Sequence, residues 1–306
     1  MRWLLGVCVA AALAQEPARI AVDVQLVNLT ATVRDARGAL VPGLTKDDFE
    51  ILEDGAPQSV RFFARQTELP LSAGLLVDFS GSQDEFVKRH RRDIESFLKS
   101  VVGKKDRVFV VCFGNHVRLV SQFTSDIDAL MDELKRFEKG ERKYPRLGDD
   151  PPREGGTAFY DAVYHATEKL RGEDGRRALV MFSDGQDNAS AHHMLDAIEA
   201  AQSTDVLLYN VRYTTTEAEK KRTGARDLYG QRVMERMAAD TGGVAFNASN
   251  QNPKPAFDAI AEELHSLYEF GFHSTNPGRD GRFRKLEIRL KQPGLKARAK
   301  SGYYAR

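Results

Sequence analysis

The chain has 306 residues, of which 42% are hydrophobic and 29% charged, with a formal net charge of +1. That balance supplies a sizeable core, excludes a disordered or fibrous chain, and leaves room for one large domain or two ordinary ones. A near-neutral chain is also a poor candidate for nucleic-acid binding, which draws on a basic surface.

Met1-Arg2 precedes an apolar run from Trp3 to Leu13, and Ala12-Leu13-Ala14 has the small-x-small pattern of a secretory cleavage site. The run is too short to cross a bilayer of roughly 30 Å as a helix. Residues 1–14 are therefore expected to be a signal peptide. The mature chain would be periplasmic or secreted, with no transmembrane segment; a buried N-terminal helix is the alternative. Val7 is too large for a lipoprotein cleavage box before Cys8. Cleavage would leave Cys112, inside the apolar run Val108–Phe113, as a buried and unreactive thiol.

Residues 18–66 read as β structure. Val22, Val24 and Leu26 alternate, then Leu29, Ala31 and Val33 do so on the other parity, which suggests a bulge or two successive strands. Pro42-Gly43 marks a turn. Asp54-Gly55, flanked by Phe49–Leu52 and Val60–Phe62, signals a hairpin.

Residues 69–267 alternate apolar runs with helical stripes. The runs are Leu71–Phe79, Val108–Phe113, Ala178–Phe182, Val206–Val211 and Val244–Phe246. They lack strict alternation, as strands covered on both faces do. One stripe holds Phe86, Ile94, Phe97, Leu98 and Val101, and the next Ile127, Leu130, Met131 and Leu134. Ala162, Val163 and Ala166 follow, then Met194, Leu195 and Ile198, then Val233, Met234 and Met237. Phe257, Ile260, Ala261, Leu264 and Leu267 close the series. The order predicts a doubly wound, mostly parallel α/β sheet.

Residues 268–306 return to β character at Tyr268–His273, Arg284–Leu290 and Leu295–Tyr303, divided by Asn276-Pro277-Gly278 and Gln292-Pro293-Gly294. Three strands alone make a poor domain. They are expected to pair with the N-terminal strands in a small β-sandwich, into which the α/β domain is inserted. Residues 276–306 hold ten Lys/Arg against two Asp/Glu. An anionic surface could draw on that excess, but a solvated strand face pairing with the acidic body accounts for it.

The chemistry concentrates in three segments. Leu75-Leu76-Val77 runs into Asp78-Phe79-Ser80-Gly81-Ser82, at the carboxyl end of the first α/β strand, where open parallel sheets bind ligands. Alternate residues in extended backbone face one way, so a carboxylate and two hydroxyls can converge there. Such hard oxygens suit Mg2+, with Mn2+ or Ca2+ as alternatives. Gly155-Gly156-Thr157 opens the helical stretch Ala158–Leu170 and offers a further hydroxyl. Ser183-Asp184-Gly185 ends the run Val180–Phe182 with a carboxylate and a turn.

In these residues the chain resembles the von Willebrand factor A domain and its metal-ion-dependent adhesion site. The D-x-S-x-S motif falls on Asp78, Ser80 and Ser82, the separated threonine on Thr157 and the later aspartate on Asp184. The resemblance implies that Ser80, Ser82 and commonly Thr157 ligate the metal, with Asp78 and Asp184 acting directly or through water. One position would remain for a Glu or Asp of a protein partner. Leu40–Leu44, Asp47-Asp48-Phe49, Glu53-Asp54-Gly55, Asn276-Pro277, Phe283-Arg284-Lys285 and Gly302-Tyr303-Tyr304 are similar to a bacterial "VWFA-related" family. Its members mostly lack an assigned activity.

A non-enzymatic, metal-dependent adhesion module is thus the expected function. A structural envelope protein with the α/β domain as scaffold is the alternative. A metal-assisted hydrolase fits poorly, since no His-Glu-x-x-His or Gly-x-Ser-x-Gly is present. Other charged residues have plainer explanations. Asp84 and Glu85 suit a helix N-terminus, Asp149, Asp150 and Glu154 a solvated loop, and Asp187-Asn188 a cap on a helix beginning near Ala189. His192-His193, adjacent on a helix, are a poor chelating pair. Lys88, Arg89, Arg91 and Arg92 fall on a solvent face, and Thr214–Tyr229 reads as a long polar loop.

Overall fold

The computed structural model describes residues 26–66, 69–148, 155–213, 217–248 and 252–306. The expected signal peptide, the alternation at Val22 and Val24, and Asp149, Asp150 and Glu154 lie outside them, as do the side chains of Asp84 and Glu85.

The first strand, β1, runs unbroken from Leu26 to Arg34, with Val27, Leu29, Ala31 and Val33 buried and Leu26 exposed. Leu26 is thus on the outer face, and no bulge interrupts the described strand. Next come β2 (Phe49–Glu53), β3 (Ala56–Gln58) and β4 (Val60–Gln66). Asp54 and Gly55, with φ of 49° and 83°, make the two-residue turn that left-handed backbone favours. Its second arm is β3, which pairs with β2, whereas Val60–Phe62 belongs to another sheet. The chain changes sheet at Ser59, directly after Pro57 has marked β3 as an edge strand.

The α/β domain follows in the order β5 (Leu71–Asp78), α1 (Val87–Val101), β6 (Arg107–Phe113), β7 (Val117–Thr124), α2 (Ile127–Glu138), α3 (Phe159–Leu170), β8 (Arg176–Ser183), α4 (Met194–Ser203), β9 (Leu207–Arg212), α5 (Glu217–Thr241), β10 (Ala245–Asn247) and α6 (Lys254–Leu264). The sheet order is β10-β9-β8-β5-β6-β7, parallel except for β7. Apolar residues of α1, α2 and α6 pack on one face, and those of α3, α4 and α5 on the other. This is the doubly wound arrangement that the sequence predicts.

Four details differ from the sequence pattern. β7, an antiparallel edge strand, went unpredicted, although Val117 and Leu119 alternate about Arg118. Leu195 is exposed, and α4 is buried through Ala197, Ile198 and Ala201. The polar stretch read as a loop after Thr214 is helical from Glu217, inside the 25-residue α5. Leu267 opens a strand and does not belong to the α6 stripe.

The chain returns through β11 (Leu267–His273), β12 (Phe283–Leu290), β13 (Lys296–Ala299) and β14 (Gly302–Tyr304). One sheet has the order β13-β1-β11-β4 and the other β14-β12-β2-β3, so both chain ends contribute to each. They close on one core, in which Phe49 packs edge-on against Phe270 at 4.8 Å beside Leu29, Ile51 and Leu286. The expected strand Leu295–Tyr303 is divided between the sheets at Lys300-Ser301. Lys300 Nζ donates to Gln202 O at 3.0 Å and Asp205 at 2.5 Å, and Ser301 N to Asp240 O, so the α/β domain draws the chain aside there.

Candidate functional site

β5 and β8 are parallel neighbours in register, Val77 beside Phe182, so Asp78 and Ser183 end their strands side by side. β6 lies on one side of β5 and β8 on the other, which makes this the point where the winding reverses. Ser183 Oγ donates to Asp78 Oδ2 at 2.6 Å and accepts Gly185 N at 3.1 Å.

After Asp78 the backbone curls and does not continue extended. Ser80 N donates to Asp78 Oδ1, Gln83 N donates to Ser80 O, both at 2.8 Å, and a 3-10 turn spans Gly81–Phe86. The turn, where the sequence suggested strand alternation, brings the Ser80 and Ser82 hydroxyls to 3.1 Å. Ser82 Oγ donates to Asp184 Oδ2 at 2.8 Å, and Gln83 Nε2 reaches the same oxygen at 3.2 Å. Gln186 N holds Asp184 Oδ1 at 3.0 Å. Asp78, Ser80, Ser82 and Asp184 therefore form one hydrogen-bonded cluster. Asp78 is fully buried, Ser80 and Asp184 nearly so, and Ser82 opens the cluster to solvent.

Thr157 reaches the same edge by another route. Its N–H donates to Asn188 Oδ1 at 2.7 Å, its carbonyl accepts Asn188 N and Ala189 N, and Ala158 N bonds Gly114 O just past β6. The bonding extends down the helix. Asp187 Oδ2 accepts Tyr160 N at 3.1 Å, and Ser190 Oγ accepts Asp161 N at 3.0 Å. Buried Asp161 in turn accepts Ala191 N, His192 N and the His192 ring at 2.7–2.8 Å. Asp187 and Ser190 thus cap the first turn of α3, with Asn188 holding Thr157 just before it, and none caps the helix after them, since α4 begins only at Met194. His192 and His193 precede α4; the His192 ring stacks on Tyr164 at 3.8 Å.

The Asp184 turn also meets α5. Gly185 has φ of +78°, and a Cβ there would lie 2.5 Å from Gly230 O; one on Gly230 would lie 2.3 Å from Asp184 O. Two glycines let helix and turn touch backbone to backbone.

Two carboxylates share this small volume. Burial first, then repulsion from Asp184, push the Asp78 carboxyl up to about 7, against the hydrogen bonds from Ser183 and Ser80. A cation among the oxygens would relieve both effects. The donor set is oxygen alone, as a hard divalent ion requires. Among the described residues, no three or more His, Cys, Asp and Glu gather as at a zinc centre. A groove of about 540 Å³, lined by Tyr164, His192, Gln202, Lys300 and Tyr303 among others, includes none of Asp78, Ser80, Ser82, Thr157 and Asp184.

Ser183, Gln83, Asp161 and Gly230 were given no role by the sequence. Only Ser183 carried a sequence signal, as a polar residue between an apolar run and Asp184.

No protein-family model and no curated protein matches the chain. Among solved structures it is similar to the conserved hypothetical protein BatB of Bacteroides thetaiotaomicron. Identity there is 20% over 63% of this chain and 97% of that one, with a TM-score of 0.45. An aerotolerance-related membrane protein from Bacteroides fragilis matches at 18% over 63% and 98%, with a TM-score of 0.46. The VWA domain of SpRpn10 matches at 14% over 61% and 93%, with a TM-score of 0.41.

Proposed function

We propose that this chain is an exported, metal-dependent protein-binding module of the von Willebrand factor A type. Asp78, Ser80, Ser82, Thr157 and Asp184 would hold Mg2+, with Mn2+ or Ca2+ as alternatives, and the partner would offer a Glu or Asp carboxylate. The observation that carries this reading is the cluster itself: hydroxyls linked to two buried carboxylates at the reversal point of a parallel sheet. The apolar run ending near Ala14 supports export.

A bound divalent cation supplies an electrophilic centre that accepts an external carboxylate. The chain's own residues prepare the place. Ser183 Oγ and Ser80 N hold both oxygens of Asp78, and Ser82, Gln83 and Gln186 fix Asp184. The neutral hydroxyls of Ser80 and Ser82 add ligands without adding charge, so the pull on an outside anion persists. Exposed Ser82 leaves the approach open.

Capture of a partner from the native envelope should occur in Mg2+ and disappear in EDTA. Asp78→Ala should lose capture while its far-ultraviolet circular dichroism stays that of the parent. Capture that survives both treatments would sink the proposal.

A further inference from the structure

Gln83 follows the paired serines and is 1% exposed. Its carboxamide is anchored at one end, where Nε2 donates to Asp184 Oδ2, the oxygen that also accepts Ser82 Oγ. The other end, Oε1, is buried and finds no hydrogen-bond partner among the described residues. A buried acceptor left bare carries a desolvation penalty, and native structures seldom keep one without a ligand or water to satisfy it. Its backbone is equally determined, since Gln83 N closes the turn onto Ser80 O at 2.8 Å.

We infer that Gln83 is a further residue of the cation site: its amide N–H positions Asp184, and its bare Oε1 accepts from the water that hydrates the cation. The inference rests on the proposed cation binding and goes beyond it, because it adds a residue outside the five. An amide suits both tasks, since it donates and accepts at once and brings no charge. A third carboxylate at this position would crowd Asp78 and Asp184, whereas an apolar side chain would release Asp184 Oδ2.

The test is calorimetric titration of the full chain with Mg2+ alone, with thermal melting of the metal-free protein beside it. Gln83→Leu keeps the approximate volume and removes both polar ends. Its Mg2+ affinity should fall at least tenfold, as loss of an outer partner at metal sites commonly does. Its metal-free melting temperature should hold or rise, because a bare buried acceptor is gone. Gln83→Glu should shift preference from Mg2+ toward Ca2+ and lower the metal-free melting temperature, and it serves should the leucine variant not fold. Wild-type Mg2+ affinity in Gln83→Leu, with affinity lost in Asp184→Ala, would overturn the role of Gln83 and leave the cation site standing. Absence of Mg2+, Mn2+ and Ca2+ binding in the parent chain would overturn both.

Discussion

At the scale of single residues, Cys112 shows how far burial alone decides chemistry. It lies on β6 among apolar side chains, and that burial holds its thiol well above the ordinary range. Thiol reagents need a thiolate and access to it. Ellman's reagent should therefore label Cys112 only once denaturant unfolds the protein; rapid labelling of the folded chain at neutral pH would show that β6 opens. Residues of this kind were legible in the sequence because an apolar run determines burial by itself. Asp78 and Asp184 were legible for another reason, since the first ends an apolar strand and the second directly follows one. Gln83 was not: an uncharged polar residue after a serine has no periodicity, and only the fold shows that both its ends are buried.

Among elements, the start of α3 is the clearest case of structure supplied from a distance. Its own N-cap position, Ala158, offers no side-chain oxygen, so the first turn depends on Asp187 and Ser190 from the segment after β8, with Asn188 fixing Thr157 before it. Helix caps are usually local, a residue or two before the first turn, and that habit explains why the sequence pointed Asp187 and Asn188 at the wrong helix. The same bonds set the positions of Thr157 and Asp184 relative to each other. Asp187→Ala should cost about 1 kcal/mol of stability, the usual loss for a cap, and should weaken cation binding as well. Urea unfolding and Mg2+ titration of the variant read the two effects. Unchanged values in both would mean that the segments hold their register without Asp187. Strand boundaries failed for a related reason: Ser59 and Lys300-Ser301 switch sheets through distant contacts, and alternation within a strand carries no record of them.

On the scale of the whole molecule, the pairing of both chain ends was legible because so few strands could not stand alone. What joins the sandwich to the α/β domain was not. Glu263 on α6 is buried and holds Arg34 of β1 at 2.6 Å, Arg298 of β13, and Tyr209 of β9 at 3.2 Å. The basic C-terminal strands thus spend Arg298, Lys300 and Arg306 on Glu263, Asp205 and Glu199 of the other domain. Glu263→Leu would leave two guanidiniums facing each other without the carboxylate. Removing one partner of a buried pair is strongly destabilising, and because both arginines retain partial exposure the loss should be roughly 2 kcal/mol. Denaturant melts of the variant and parent measure it; equal midpoints would mean that shape alone docks the domains.

The covalent connections between the α/β domain and the sandwich both leave from one place, for Gln66 and Leu267 are themselves paired across β4 and β11. Along the covalent backbone, a pull exerted at the carboxyl edge of the six-stranded sheet therefore returns through two strands lying side by side. The insertion thus connects the α/β domain to two neighbouring strands at one edge of the sandwich.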